Sequence, residues 1–275
     1  MTDTITFEAF TAAHLDGALR LSREAVWPHR REDWHLLLRL GRGVVALSRG
    51  AVVGTALATR FGAVAMANMI IVDARMRGRG LGRQLLTRAM DWVDVPEWRL
   101  TATKDGLPLF EKLGFIATDR VLQHQGLPVA QVLSGGVDWA GAADRPAIQA
   151  LDRQATGANR AALITLLMHE DRIAVVREGA GVVGYACLRR FGRGQLVGPV
   201  VAETVETAHL LLGFLFAKAP RGFMRVDTTE SAGLAPWLTA QGLAPVGGGI
   251  SMQRGGTTTL ANPLRRFALA AHALG

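Results

Sequence analysis

The sequence predicts an α+β (mixed α/β) fold built twice over. Three observations carry that expectation: length with apolar content, alternation of strand-like and helix-like segments, and an internal repeat. A chain of 275 residues, 49% of them apolar, exceeds the usual size of one domain and holds core material for two. In the first half a short strand is expected at 5–10, an amphipathic helix at 14–25 and a second helix at 33–40. Three apolar, strand-like runs follow at 44–48, 52–60 and 64–72. Arg49-Gly50 and Phe61-Gly62 separate them, and their glycines suit tight connections between neighbouring strands. A glycine-rich turn, a helix over 80–93, a strand at 98–103, a short helix at 107–113 and a last strand from Phe115 complete the half.

The second half repeats the plan. Val44 to Gly54 reads Val-Val-Ala-Leu-Ser-Arg-Gly-Ala-Val-Val-Gly, and Ile173 to Gly184 reads Ile-Ala-Val-Val-Arg-Glu-Gly-Ala-Gly-Val-Val-Gly. Leu113-Gly114-Phe115 has its counterpart in Gln241-Gly242-Leu243. The expected division is a first domain at 1–126, a second at 127–256 and a tail at 257–275. In the tail, Asn262-Pro263 predicts a cap and a short amphipathic helix over 264–274, docked onto a domain because so short a helix is unstable alone.

The formal net charge of +8 comes mostly from scattered arginines. Without a basic stripe or an aromatic-basic module, no nucleic-acid partner is expected. Cys187 is the only cysteine, which excludes an internal disulfide and a cysteine-built metal site and suits a reducing compartment. No metal is expected. Asp3 and Glu8 interrupt the N-terminus, so no secretion signal is expected there. The longest apolar candidate, 210–217, is too short for a membrane span. A soluble, cytoplasmic monomer or homodimer is the expectation.

The chemistry is expected where the strand ending Asn68-Met69-Ile70-Ile71-Val72 runs into Asp73-Ala74-Arg75-Met76-Arg77-Gly78-Arg79-Gly80-Leu81-Gly82 and a helix. Glycines let backbone amides approach a ligand, and a helix start supplies unpaired N–H groups and partial positive charge, so a pyrophosphate fits. Gly-x-Gly-x-x-Gly fails because position 83 is Arg83, and no Gly-Lys-Ser or Gly-Lys-Thr occurs.

What remains, Arg77-x-x-Gly80-x-Gly82 followed by Gln84-Leu85-Leu86, resembles the coenzyme A signature of the GNAT N-acetyltransferase superfamily. Leu109-Phe110-Glu111-Lys112-Leu113-Gly114-Phe115 resembles its closing segment. With the repeat, the whole chain resembles tandem GNAT proteins whose second domain is degenerate. The resemblance implies two domains, each a central, mostly antiparallel sheet flanked by helices. It further implies acetyl-CoA as cofactor and transfer of its acetyl group to a primary amine of a small molecule or peptide in a ternary complex. Carried over by position, Ile70, Ile71 and Val72 would line the pantetheine, and Arg77, Gly78, Arg79, Gly80, Leu81, Gly82 and Arg83 the phosphates, with Phe110 at the thioester end. The last is a departure: relatives carry a tyrosine there as general acid, and a glutamate base on the strand before the loop is absent too. Asn68, Thr103 (with Asp105 beside it) and His124 are the candidate catalytic residues. Without an acid or base a non-catalytic acyl-CoA sensor is the alternative. Trp27, His29 and Trp34 at the first helix junction are candidates for an acceptor lid. Tyr185, Asp227, Asn159 and Arg160 are candidates for an acceptor pocket between the domains. The second copy's counterpart of the loop, Gly198 to Glu206, lacks the glycine pattern and the arginines. Glu203 and Glu206 in the first turn of its helix would repel phosphate.

Overall fold

The computed structural model describes residues 4–129, 135–256 and 263–275. The first half runs β1 (Ile5–Ala9), α1 (Leu15–Glu24), α2 (Arg31–Leu40), β2 (Arg42–Ser48), β3 (Ala51–Phe61), β4 (Val64–Val72), α3 (Leu81–Asp91), β5 (Glu97–Ala102), α4 (Leu107–Lys112) and β6 (Ile116–Gly126). The second half repeats that order: β7 (Val137–Trp139), α5 (Arg145–Thr156), α6 (Ala161–Glu170), β8 (Arg172–Glu178), β9 (Gly181–Phe191), β10 (Gly194–Ala202), α7 (Val205–Lys218), β11 (Met224–Thr229), α8 (Ala235–Ala240) and β12 (Leu243–Gly255). A final strand, β13 (Arg265–Ala268), follows.

The two sheets are one. Among the described residues thirteen strands lie in the order β1-β2-β3-β4-β5-β12-β6-β11-β13-β10-β9-β8-β7, mostly antiparallel. The closing strands have exchanged places: β12 pairs with β5 across Ile250–Gly255, while β6 pairs with β11 across Val121–Gly126. Each half thereby completes the other's sheet, and β6 and β12 bind each other along most of their length. Exchange uses the same antiparallel ladder that a separate sheet would, so it conserves backbone hydrogen bonds while tying the halves together.

Helices cover the sheet by the usual logic of an apolar stripe on a polar rod. Leu81, Leu85, Leu86 and Ala89 pack α3 against one face of the first half. On the opposite face α1, α2, α5, α6 and residues 264–274 form one core that spans both halves, with Leu15, Trp34, Ile148, Leu163 and Leu274 buried in it. Across that core the halves grip each other reciprocally. The α1–α2 junction meets the β9–β10 turn through Arg30 Nη2, which donates to Arg190 O at 2.8 Å. The α5–α6 junction meets the β3–β4 turn through Asn159 N, which donates to Phe61 O at 3.0 Å.

The tail departs from expectation. Residues 265–268 form a strand rather than part of a helix, and Asn262 of the expected cap lies outside the described residues. The reason is the edge on offer: β10 and β11 diverge after pairing Gln195–Val197 with Met224–Val226, and β13 enters the gap. It pairs antiparallel with β10 (Val200↔Ala268) and touches β11 (Thr228↔Ala268). Unpaired strand edges recruit a strand more readily than a helix.

Candidate active site at the first fork

In the first half, too, the two central parallel strands diverge. β4 pairs with β5 only from Val64↔Glu97 to Met66↔Arg99. Past Met66 the β4 register on β3 slips from Leu57↔Asn68 to Thr55↔Ile71, with Met69 at φ 50° and its carbonyl accepting a hydrogen bond from the Thr55 hydroxyl at 2.7 Å. This left-handed residue is costly for a side chain, and it turns the strand away from β5. Among the described residues the β5-facing edge of 67–72 has no strand partner, so a fork stands open. Ile70 and Val72 are half-buried toward α3, whereas the Ile71 side chain points into the core on the other face.

The fork's open end meets the glycine loop. Asp73 anchors the turn: its carboxylate accepts from Arg75 N and Nε, both at 3.0 Å, and from Arg75 Nη2 at 2.8 Å. Those bonds hold its pKa well below the usual carboxylate range and pair it with the exposed Arg75. Arg77 Nε leans on Val72 O at 3.4 Å, while Arg79 and Arg83 are exposed. Gly78 and Gly80 have φ of 76° and 72°, and a Cβ on either would point into open space. Gln84 N is the first helical amide to find a carbonyl, Gly80 O at 3.1 Å. Among the described residues the amides of Gly78, Arg79, Gly80, Leu81, Gly82 and Arg83 have no partner. Unpaired amides at the positive end of α3, with exposed guanidinium groups beside them, suit a diphosphate. Gly82 lies where α3 meets α4: a Cβ there would stand 3.3 Å from Leu109 Cδ2.

On the face opposite α3, an interdomain cavity of about 350 Å³ reaches the closed end of the fork. Val64 and Met66 of β4 and Thr101 of β5 line it. So do Ser251 of β12, Asp119 of β6 and Arg266 of β13. Thr101, Ser251 and Asp119 are register partners across the exchanged strands, and Ser231 Oγ donates to Asp119 at 2.5 Å.

Several candidates lie elsewhere. Phe110 is buried edge-on to Phe115 in the core between α3 and α4. Thr103 Oγ1 accepts from Gly106 N at 3.2 Å, a turn role, with Asp105 exposed beside it. Asn68 Nδ2 donates to Thr59 Oγ1 and to Ala273 O, both at 3.0 Å, and so ties the tail to β4. His124 is buried on β6 opposite Val226 and Pro245, beyond the stretch of β12 that pairs with β5. Burial lowers its pKa.

Trp34 is no lid: it is wholly buried, and its indole donates to Ser22 Oγ at 3.1 Å. Trp27 and His29 pack with Phe191 of the second half. Tyr185 does not line the interdomain cavity, although its neighbour Arg160 does. The tyrosine is wholly buried and donates to Asp152, which Arg160 holds at 2.5 Å, and Arg160 also donates to Gly275 O. Asn159 serves the Phe61 contact and accepts from Arg153. Asp227 is also buried, bound by Arg225 at 2.8 Å through both oxygens and 3.4 Å from His272 Nε2. Burial alone would raise its pKa, but those two partners drive it down. Sequence reasoning missed the polar row and Arg266, because exchange of closing strands brings together positions that no single half contains. Leu264-Arg265-Arg266-Phe267-Ala268 shows no period-two alternation, so no local signal marks β13.

Comparison with known proteins agrees with this architecture. Two family models, each described as an acetyltransferase (GNAT) domain, match residues 39–117 and 148–266. The chain is 28% identical over 223 residues to the uncharacterized N-acetyltransferase YitH of Bacillus subtilis (strain 168), covering 78% of each. A putative acetyltransferase from Pyrococcus horikoshii has a similar structure, with a TM-score of 0.83 at 19% identity over 98% of this chain and 96% of that one. A tandem GNAT protein from the clavulanic acid biosynthesis pathway gives a TM-score of 0.65 at 16% identity, over 93% and 100%.

Proposed function

We propose, starting from a chain that belongs to the GNAT acetyltransferase superfamily and carries two of its domains, that its first domain (1–126) is the catalytic one. This acyltransferase would take acetyl-CoA at the first fork and pass the acetyl group to a primary amine. The run of unspent amides from Gly78 to Arg83, at the mouth of an open strand fork, carries the reading.

The residues present fit the cofactor. The loop amides, with Arg79 and Arg83 beside them, would hold the diphosphate, and the free backbone edge of 67–72 would accept the amides of a pantetheine arm. When bound, acetyl-CoA supplies its acetyl group as a thioester open to attack by a neutral amine. The chain's part is then to orient and to exclude water. Holding both reactants in line is worth roughly 7–11 kcal/mol of barrier. With Phe110 buried where relatives have a tyrosine, and no acid or free histidine on β4, proton transfer falls to water. The acceptor would enter from the opposite face, through the interdomain cavity.

Thiol release from acetyl-CoA with a panel of primary amines tests this directly. Amine-dependent release that disappears without the acceptor is the expected result. Tight cofactor binding with no turnover above buffer would favour the alternative, a non-catalytic acyl-CoA sensor, which the missing tyrosine motivates.

A further inference from the structure

Among the described residues four arginines and one acidic side chain line the interdomain cavity, and their pairing separates them. Arg99 is held by Glu97 at 2.5 Å and donates to Thr156 O at 2.7 Å. Arg160 is held by Asp152, and Arg265 donates to Ser231 O at 2.8 Å. Arg266 has no hydrogen bond or ion pair among the described residues, and its Nε is buried without a partner. Arg266 is half-buried, and a guanidinium so placed with no direct hydrogen bond or ion pair is costly, so natural interiors seldom keep one without use. Burial first, then repulsion by Arg160 and Arg99, outweighs attraction by Asp152 and Asp119 and brings its pKa down to about 10, so it stays charged at neutral pH. Asp119, the one acidic side chain lining the cavity among the described residues, is engaged by Ser231.

Position gives this charge a meaning. A Cβ on Gly275 would stand 3.4 Å from both Arg266 Nη1 and Met66 Sδ, and Met66 is the last β4 residue paired with β5. The guanidinium therefore sits at the closed end of the fork, on the acceptor face, where a bound molecule has one end at Arg266 and the other toward the strand gap.

We infer that the acceptor is an amine that carries a carboxylate, an amino-acid-like molecule, whose carboxylate is held by Arg266 while its amine faces the fork. The inference rests on the acetyl-transfer reading for the amine and on the cavity alone for the carboxylate. Planar guanidinium matches carboxylate geometry with two parallel bonds, and Thr101 and Ser251 offer hydroxyls along the same wall. Arg266 is thus a specificity residue contributed by the second half of the chain to the first half's chemistry.

The test uses the full chain with matched pairs: α-, β- and γ-amino acids against their carboxamides. At saturating acetyl-CoA, kcat/KM should favour the acid tenfold or more. Arg266→Gln should erase that preference mainly through KM, and Arg266→Lys should keep part of it, which also shows that the fold tolerates change there. Carboxamides turned over as well as acids, or a preference that survives in Arg266→Gln, would overturn the inference while leaving acetyl transfer standing. Calorimetric titration with the same pairs, without cofactor, separates the two readings. If acids bind the parent but not Arg266→Gln, and no amine is turned over, the carboxylate site stands and the transfer reading falls. If no acid binds the parent, the site falls.

Discussion

The molecule contains the same fork twice and uses it in opposite ways. In both halves a parallel pair holds for three residues, 64–66 on 97–99 and 195–197 on 224–226, and then a register slip opens the strands. The first fork leads to an exposed loop and a helix whose N-terminal residue, Gly80, offers no side-chain cap. The second leads to Glu203 and then Thr204, whose hydroxyl accepts from Thr207 N at 3.2 Å and satisfies that helix itself. Glu206 adds negative charge in the first turn, while Glu203 precedes the cap rather than lying in that turn. Between the second pair of strands, where a ligand would otherwise find free backbone, lies β13. The gap between diverging strands must be filled by something with amide groups, and the chain itself supplies that filler in one half.

The largest break in this comparison is at Phe267, wholly buried in the strand that fills the second fork. Phe267→Ala should destabilise the protein by about 3–5 kcal/mol, read by denaturant unfolding. Coenzyme A stoichiometry should stay at one per chain, because Thr204 still occupies the second helix start. A second site appearing in this variant would mean that β13 alone closes that fork.

Gly80→Val tests the other fork. A β-branched residue is poorly suited to φ 72°, and its side chain would project where backbone must meet phosphate. Losing two charge-assisted amide bonds at about 1.5–3 kcal/mol each predicts at least a hundredfold weaker coenzyme A binding by calorimetry. Equal affinity in the variant and the parent would remove the loop as the cofactor site. The matching change in the second half, Thr204→Val, should leave coenzyme A binding untouched and cost about 1 kcal/mol of stability through the lost cap.

How much of this was legible in the sequence follows from the range of the interactions. The glycine loop, the strand before it and the repeat are local patterns, and hydrophobic period plus glycine placement suffices to find them. The exchange of β6 and β12 is invisible locally, because either strand pairs equally well with its own half. Tyr185, Asp227 and Trp34 looked functional because polar or aromatic residues at strand ends and helix junctions often are. They are buried because the halves meet face to face there, which only the assembled core reveals. Arg266 was unremarkable among scattered arginines until β13 carried it to the first fork.

The two reciprocal grips between the halves also differ, and acid should expose the difference. At the α5–α6 junction Arg160 is pushed up by Asp152 against burial, and Tyr185 lies well above its ordinary range, so neither titrates in weak acid. At the α1–α2 junction His29 is lowered to about 4, by burial first, and Asp171, which follows α6 and lies within electrostatic reach of Arg30 and Asp33, is raised to about 6, also by burial first. A histidine depressed from 6.5 binds its proton more readily when unfolded, so its contribution is complete above 6.5 and is lost as pH falls toward 4. A carboxyl raised from 3.8 does the reverse: it favours the folded state more as pH falls through 6. Between pH 7 and 5 the histidine should remove on the order of 2 kcal/mol and the aspartate restore on the order of 1 kcal/mol. These two groups largely offset each other, while His124 and His209, also lowered by burial, add to the parent's loss as pH falls. His29→Gln should flatten the parent's loss of stability between pH 7 and pH 5, while Asp171→Asn should steepen it. Urea midpoints at the two pH values read both. A His29→Gln profile that parallels the parent would place the titration elsewhere and leave the two grips electrostatically alike.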